Sequence, residues 1–446
     1  MRRFATYMLV IASFLTSCML LPNLSFAERL QSDVIVGRSV VEGGFTEADT
    51  PSLTCPEAIV VGKDGTVYFE RAADTEVKIA SITKVMTAIV ALEHAALDDT
   101  VVVDEPAAKV GQSSAELRIG DKLSLQTALK ALLMASGNDA AMAIATSVGK
   151  KIDPTSNNPY ASFIDAMNAK AQELGMVHTL FENPHGLDFD GWEGNMHSSA
   201  RDVATMFAYA MQRDDFRALE EDSNTVITVE GADGAMRDIS LIDRNKIRGQ
   251  EGNIGGKTGG TYIALDCFVG AFTQELGGEI YTVVLGSPTE DERWDDTRAL
   301  AAWYYQHMVL YPLLTSRATA ADGTPLVARV AHAGWSDKTV GATIENPTQA
   351  VPIFSLADPV EEELQVQEVT GAVHTGDSLG TLKLRQGQRE LAEVEVVAAE
   401  NQDGPNLFEW LLVQFDRALR FITGKQTTAM KEQLFEVPSP LELDQV

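Results

Sequence analysis

Cysteine is almost absent: the chain has 3 in 446 residues. Cys18 lies in an N-terminal segment that reads as removable. Cys55 and Cys267 cannot make a disulfide framework, and each sits in or beside an apolar, strand-like stretch that suits a buried free thiol. Histidine is scarce as well, at 7. No cysteine–histidine cluster has metal-ligand spacing, so neither a metal nor a cofactor is expected. His185 and His197 flank one loop without a partner spacing that would make a triad, and structural roles suit them. Positive charge is in deficit, with 35 Lys and Arg against 64 Asp and Glu and a net charge of −29. Such a surface is repelled by phosphate backbones, which argues against nucleic acid as a partner. Nothing positive about the substrate follows, because net charge governs solubility and steering.

What is present is ample apolar material, 45% of residues, enough for real cores in two or three domains. The N-terminus reads as an export signal over residues 1–27. Arg2 and Arg3 precede an apolar run from Phe4 to Leu21, and Ser25-Phe26-Ala27 offers small residues for cleavage. Leu15-Thr16-Ser17-Cys18 resembles a lipoprotein box, although the apolar run continues past Cys18, which is unusual for that signal. Cleavage after Ala27 removes Arg2 and Arg3 and takes the net charge from −29 to −31.

Along the chain, Ala58-Ile59-Val60-Val61, a Lys63-Asp64-Gly65 turn and Thr66-Val67-Tyr68-Phe69 predict a strand pair. Ser81 opens a predicted helix, with Ile82, Val85, Met86, Ile89, Val90 and Leu92 at helical spacing. Further helix is predicted within 125–146, 161–175 and 200–212. Strands follow at Tyr262–Phe272 and Glu279–Leu285 with Gly277-Gly278 between them, then a helix over Thr297–Leu310. This is the pattern of a sheet with helices on its faces, assigned to residues 28–315. A linker near 316–324 leads into short, regularly punctuated strands at 328–330, 340–344, 365–369, 380–384 and 394–397, which predict a small β sandwich over 316–404. Residues 405–425 predict an amphipathic helix. Residues 426–446 read as a polar, acidic, disordered tail.

Three short motifs fall in order: Ser81-Ile82-Thr83-Lys84, Ser136-Gly137-Asn138 and Lys257-Thr258-Gly259. Each is weak alone; Ser147-Val148-Gly149-Lys150 repeats the first at a solvated helix end. Together they share a logic. Lys84 lies one turn from Ser81 on the same helix face. A serine hydroxyl is a poor nucleophile until a base takes its proton. A lysine can be that base if burial and a second cation, here Lys257, lower its pKa. Ser136 would bridge the two lysines as a proton relay toward the leaving amine. Asn138 would hold Lys84 and the substrate backbone. The strand edge Lys257-Thr258-Gly259-Gly260 would pair with a peptide, and the N–H groups of Ser81 and Gly260 would form an oxyanion hole.

This set resembles the penicillin-recognising serine enzymes, and within them the low-molecular-mass penicillin-binding D-alanyl-D-alanine carboxypeptidases. The likeness extends through Leu132–Ala141, Glu173–Met176, Phe181–Asp188 and Ser199–Ala204, and into the C-terminal β domain. It covers about residues 51–400. The resemblance implies an α/β (α+β) transpeptidase/β-lactamase-like domain, with an antiparallel sheet flanked by helices and a β domain after it. It implies a serine carboxypeptidase that trims peptidoglycan stem peptides and is acylated by β-lactams. Arg293 resembles the family's arginine just before the helix that follows the last sheet strand, and is the candidate reader of the substrate carboxylate, with Arg298 as the alternative. A DD-endopeptidase could use the same site. A serine β-lactamase fits less well, because Glu182-Asn183-Pro184-His185 lacks the spacing of the glutamate motif that holds the deacylating water. Two departures stand out. Gly260 replaces a histidine carried by some relatives, and the Phe189–Asn195 insert is rich in Trp and acidic residues.

The family also implies a C-terminal membrane helix. Here Leu407, Phe408, Leu411, Leu412, Phe415, Ala418, Leu419, Phe421 and Ile422 fall on one half of the wheel. Glu409, Asp416, Arg417 and Arg420 fall on the other, with Trp410 and Val413 breaking the polar side. Four mid-segment charges favour lying in the membrane surface over spanning it.

Overall fold

The computed structural model describes residues 32–438. The export signal at 1–27, the Cys18 box and the last eight residues of the tail lie outside them. The described chain divides into two units, at Tyr304/Tyr305 rather than at the expected 315.

The first unit is built on a seven-stranded antiparallel sheet. Its strands are β1 (Asp33–Ile35), β2 (Arg38–Ser39), β3 (Glu57–Gly62), β4 (Val67–Arg71), β5 (Asn253–Thr261), β6 (Leu265–Gln274) and β7 (Gly278–Ser287). Their spatial order is β2-β1-β4-β3-β7-β6-β5, which leaves β5 on an edge. The central strands are apolar on both faces: Ile59, Val60, Val269, Ile280, Tyr281 and Val283 are fully buried. Continuous apolar strands of this kind require a cover on each side. Helix α7 (Glu290–Gln306) covers one face, setting Trp294 edge-on to Phe268 and Trp303 edge-on to Phe69. On the other face Phe207 of helix α5 (Ala200–Met211) meets Tyr281.

Between β4 and β5 the chain forms a helical lobe: α1 (Lys84–His94), α2 (Leu125–Leu133), α3 (Asn138–Ile152), α4 (Pro159–Glu173), then α5 and α6 (Asp214–Glu221). Two expectations are refined here. Ser81 does not open the α-helix; it sits in a 3-10 turn, Ala80–Thr83, and the α-helix starts at Lys84. The helical stretch at 125–146 is two helices broken at Ser136-Gly137, where Ser136 takes a left-handed φ of 59°. A side chain in that region costs ~1–3 kcal/mol and persists only where its surroundings enforce it.

The second unit holds a six-stranded sheet in the order Val360–Val366, Ser378–Gln386, Arg389–Ala398, Thr339–Ile344, Ala328–Ala331, Glu432–Gln433. A separate pair joins Met308–Pro312 to Ala350–Phe354. Val330, Val340, Ile344, Leu382, Leu384 and Val396 form the core. The helix expected to run to Leu310 therefore ends at Gln306 and gives way to a strand. The tail is also corrected: Glu432 and Gln433 pair with Ala328 and Arg329, and Phe435 is buried in the core.

Helix α8 (Leu407–Ile422) is started by Asn406, which accepts from Phe408 and Glu409 N–H while Glu409 accepts from Asn406 N–H, a reciprocal cap. Its polar side faces the β strands' unit. Arg417 donates to the carbonyls of Ala333 and Trp335, and Ser336 donates to Asp416. Val413, which breaks the polar half of the wheel, is the helix residue that becomes buried. Leu407, Phe408, Leu411, Leu412, Phe415, Phe421 and Ile422 stay exposed. No helix among the described residues is long and apolar enough to cross a membrane.

Candidate active site

The site forms where the turn bearing Ser81, the break between α2 and α3, and the edge strand β5 converge. Two glycines permit the approach. A Cβ on Gly259 would lie 2.4 Å from the Ile79 carbonyl oxygen, and one on Gly186, which has a φ of +90°, would lie 1.9 Å from that of Ala80. Neither position accepts a side chain while the turn stays where it is.

Lys84 Nζ is fully buried and has three partners: Ser81 Oγ at 2.7 Å, Asn138 Oδ1 at 2.8 Å and the His185 carbonyl at 2.8 Å. The Asn138 amide is oriented by its own Nδ2, which donates to the Gly111 carbonyl at 3.0 Å. Asn138 Oδ1 and His185 O can only accept. A neutral lysine has two hydrogens, which these acceptors take, so its lone pair is left for Ser81 Oγ. The charge state agrees. Burial, and then the field of Lys257, push Lys84 well below the ordinary lysine value, against an opposing pull from Asp139. Both influences favour the neutral form of Lys84, whose Nζ lies 2.7 Å from Ser81 Oγ.

Lys257 is also buried, and burial pushes it down to about 7, against the field of Glu220. It donates to Ser136 Oγ and to the Thr258 carbonyl, both at 2.9 Å. Ser136 was expected to bridge both lysines; among the described residues it bonds Lys257 and makes no hydrogen bond to Lys84, so half of that bridge is formed. Ser81, Ser113, Ser136, Thr258, Gly259 and Gly260 line one cavity of about 200 Å³ with Arg244, Glu290 and Arg293. Asp139 at the start of α3 accepts from Ala115 and Leu117 N–H and from Ser114 Oγ, which fixes the loop carrying Ser113. A serine in contact with a buried lysine, an edge strand and a pair of arginines in one small cleft can support acyl transfer from a peptide that ends in a carboxylate.

Comparison with known proteins agrees. The sequence profile of the D-alanyl-D-alanine carboxypeptidase family, peptidase family S11, matches residues 45–289. The chain belongs to this family. D-alanyl-D-alanine carboxypeptidase DacF of Bacillus subtilis is 28% identical over 359 residues, covering 77% of this chain and 85% of that protein. The Streptomyces K15 DD-transpeptidase structure shares 28% identity with a TM-score of 0.53, covering 57% of this chain and 98% of its own. D-alanyl-D-alanine carboxypeptidase DacD from Francisella tularensis, at 22% identity and a TM-score of 0.52, extends the likeness of fold to 79% of this chain.

Within this member of the family, the arginine expectation divides. Arg293 lines the cleft, where it donates to the Gly259 carbonyl at 3.2 Å, to Asp266 at 2.8 Å and to Glu290 at 3.2 Å. Arg298 pairs with Glu251 and Asp295 and does not line the cleft. Arg244 was not foreseen, nor were Ser113 and Glu290. A lone arginine in the polar turn Asp243-Arg244-Asn245 has no period or spacing to mark it; only the fold brings it to the cleft. The second Ser-x-x-Lys is excluded from the site: Ser147 Oγ accepts from Val102 N–H on the far side of α3. His185 is structural in its ring and functional in its backbone. Its ring is fully buried, its Nδ1 accepts from Leu187 N–H, and burial pushes its pKa well down.

Proposed function

We propose that this carboxypeptidase removes the terminal D-alanine of peptidoglycan stem peptides through an acyl-enzyme on Ser81, working as an exported protein at the outer face of the cytoplasmic membrane. The observation that carries the chemistry is the placement of Lys84 Nζ, with two obligate acceptors and one hydroxyl as its partners. Neutral Lys84 takes the Ser81 proton as Oγ attacks the penultimate carbonyl carbon. The N–H groups of Ser81 and Gly260 hold the oxyanion. The C–N bond breaks, and the leaving amine receives a proton by way of Ser136. Water then enters where the amine left, and the ester of Ser81 is hydrolysed by the same groups in reverse. β-Lactams acylate the same oxygen. The test is turnover of a D-Ala-D-Ala peptide, and a protein that binds labelled penicillin yet never releases D-alanine would refute it.

Two cationic side chains in the cleft favour a substrate with a free terminal carboxylate over a cross-link without one, which places endopeptidase activity second. A β-lactamase needs a held deacylating water. Glu182 is instead exposed and accepts from Met196 N–H at 2.9 Å. Hydrogen bonds to charged groups contribute about 1.5–3 kcal/mol. Arg293→Ala is therefore expected to lose roughly ten- to hundredfold in kcat/KM on a free-acid peptide. The loss on its C-terminal amide should be several-fold smaller. Equal losses on both would show that Arg293 does not read the carboxylate.

The membrane reading rests on α8, whose polar side is docked and whose apolar side is uncovered. A helix on a soluble domain ordinarily does the opposite. A lipid surface covers such a face without a spanning segment, and a chain of this negative charge needs apolar insertion to stay on anionic lipid. Because Phe435, beyond the helix, belongs to the core, substitutions test this more cleanly than truncation before Asn406. Leu411→Glu, Phe415→Glu and Leu419→Glu together should move the protein from sedimenting lipid vesicles to the supernatant, with peptide hydrolysis retained. A triple variant that still sediments would rule out α8 as the anchor, and lipidation at Cys18 would take its place.

A further inference from the structure

Glu220, next to last in α6, is a buried carboxylate that the chemistry above does not use. It is 1% exposed, and α6 packs so closely on β5 that a Cβ on Gly255 would stand 2.8 Å from the Glu220 Cβ. Its Oε2 accepts from Gly256 N–H at 2.8 Å, one residue before Lys257. Strand β5 has a neighbouring strand on one side only, so this bond satisfies an N–H that no strand could take. Its Oε1 makes no hydrogen bond among the described residues. A protonated carboxyl here would bury an O–H without an acceptor. An ionised one faces Arg248, whose guanidinium stands 3.8 Å from Oε2 and is itself fixed by Asp243. Burial pushes the Glu220 carboxyl up. Arg248, the Gly256 N–H and Lys257 pull it back toward the charged form, with Asp243 opposing them.

Lys257 depends on such a neighbour. It is 1% exposed, and the groups it touches, Ser136 Oγ and the Thr258 carbonyl, are neutral acceptors. Titratable and charged groups face it from each packed element: Lys84 from α1, Glu220 from α6, Asp243 and Arg244 from the turn before β5, and Arg293 from α7. Burial expels the Lys257 proton, and Arg293 and Arg244 add to that push. Glu220 and Asp243 hold the proton, Glu220 the more strongly. A buried ammonium without a nearby anion gives up its proton rather than its environment. The carboxylate on α6 therefore decides whether the group behind Ser136 is a cation or a neutral amine.

We propose that Glu220 is a positioning residue, which pins the strand carrying Lys257 and keeps Lys257 protonated while Ser136 passes a proton to the leaving amine. This rests on the reading of Ser81 as the acylated residue and of Ser136 as the relay. Glu220 touches no reacting atom; it acts through Lys257. With Glu220 ionised, Lys257 stays a cation to higher pH, and the relay keeps its charge. Without that carboxylate the same strand presents a neutral amine above neutral pH, and the alkaline edge of activity retreats toward acid.

The test is the pH profile of Glu220→Gln, which keeps an oxygen for Gly256 N–H and removes the charge. The alkaline limb of kcat/KM on a D-Ala-D-Ala peptide should move toward acid by roughly one pH unit. That is about a tenfold loss above neutral pH, with little loss on the acid side. Loss by one factor at every pH, with the limb unmoved, would show that Glu220 only holds the strand and would overturn the proposal. In a Lys257→Met background Glu220→Gln should change the profile no further; a shift that persists there would also overturn it. If Glu220→Gln does not fold, Glu220→Asp carries the comparison, because it draws the charge back by one carbon. It should shift the limb the same way by less, and no shift or an opposite one would overturn the proposal. Carbon-13 NMR of labelled lysines in Ser81→Ala protein reads Lys257 without turnover, its signal assigned by its loss in Lys257→Met. Glu220→Gln in that background should lower the Lys257 midpoint by about one pH unit. An unmoved midpoint would overturn the proposal while leaving Ser81 in place. A lowered midpoint beside a wild type that never hydrolyses the peptide would refute the acyl-enzyme reading and leave the hold of Glu220 on Lys257 standing.

Discussion

Ser81→Ala protein should retain no covalently bound penicillin and should lose D-Ala-D-Ala hydrolysis by roughly a million-fold, the scale on which serine hydrolases fail when the nucleophile is removed. The expectation comes from comparing every serine in reach. Ser113 also lines the cleft, but its hydroxyl donates to the Ala135 carbonyl at 3.1 Å. Ser136 accepts from Lys257, a group whose proton opposes removal of another. Ser147 is tied to the Val102 backbone. Ser81 Oγ instead lies 2.7 Å from Lys84 Nζ, whose pKa is lowered by burial and then by Lys257. The substitution removes one oxygen from a half-exposed position, so the thermal midpoint should hold within a few degrees while labelling disappears. Label surviving in Ser81→Ala, or mapped to a peptide containing Ser147, would refute the assignment.

How far this site could be read from the chain depends on what kind of atom does the work. Side chains with distinctive chemistry announce themselves. Ser81, Lys84, Ser136, Asn138 and Lys257 stand in ordered motifs, and the apolar runs at 58–61 and 279–285 lie within the buried strands Glu57–Gly62 and Gly278–Ser287. Main-chain atoms do not. The His185 carbonyl that accepts from Lys84 has no signature in residue type, so His185 reads as structural. The break between α2 and α3 is carried by the left-handed Ser136, a conformation that no serine propensity predicts. Long-range proximity is equally silent: Arg244 and Glu290 reach the cleft from separate turns. In α8 the sequence shows an amphipathic wheel, but Val413 and Trp410 look like flaws in it. The docking of the polar side explains Val413 as the contact that holds the helix to its unit. The return strand at 432–433 pairs through backbone hydrogen bonds, which its acidic, polar composition conceals.

Lys84→Met should abolish acylation by about a thousandfold or more, since a positioned general base contributes about 10²–10⁴-fold. Lys84→Arg should fail to the same extent, because a guanidinium keeps its charge and cannot accept the Ser81 proton. That equality separates a base from a mere positive charge, and near-UV circular dichroism checks that both variants stay folded. The wild-type pH profile carries the same argument with a definite sign. Acylation needs Lys84 without its extra proton, so the rate falls as pH drops through the Lys84 pKa. Burial and Lys257 hold that pKa well below 10.5, so the rising limb lies well to the acid side of an ordinary lysine. On the alkaline side Lys257, held at about 7 by burial, loses the charge it presents to Ser136, the relay to the leaving amine, and kcat/KM falls again. The two limbs belong to the coupled pair rather than to either lysine alone. Lys257→Met should therefore move the acid limb as well as remove the alkaline one: without the second cation, Lys84 holds its proton to higher pH, and the rising limb shifts upward. A wild-type profile that climbs only near 10.5, or an acid limb unmoved in Lys257→Met, would show that Lys84 is not the base.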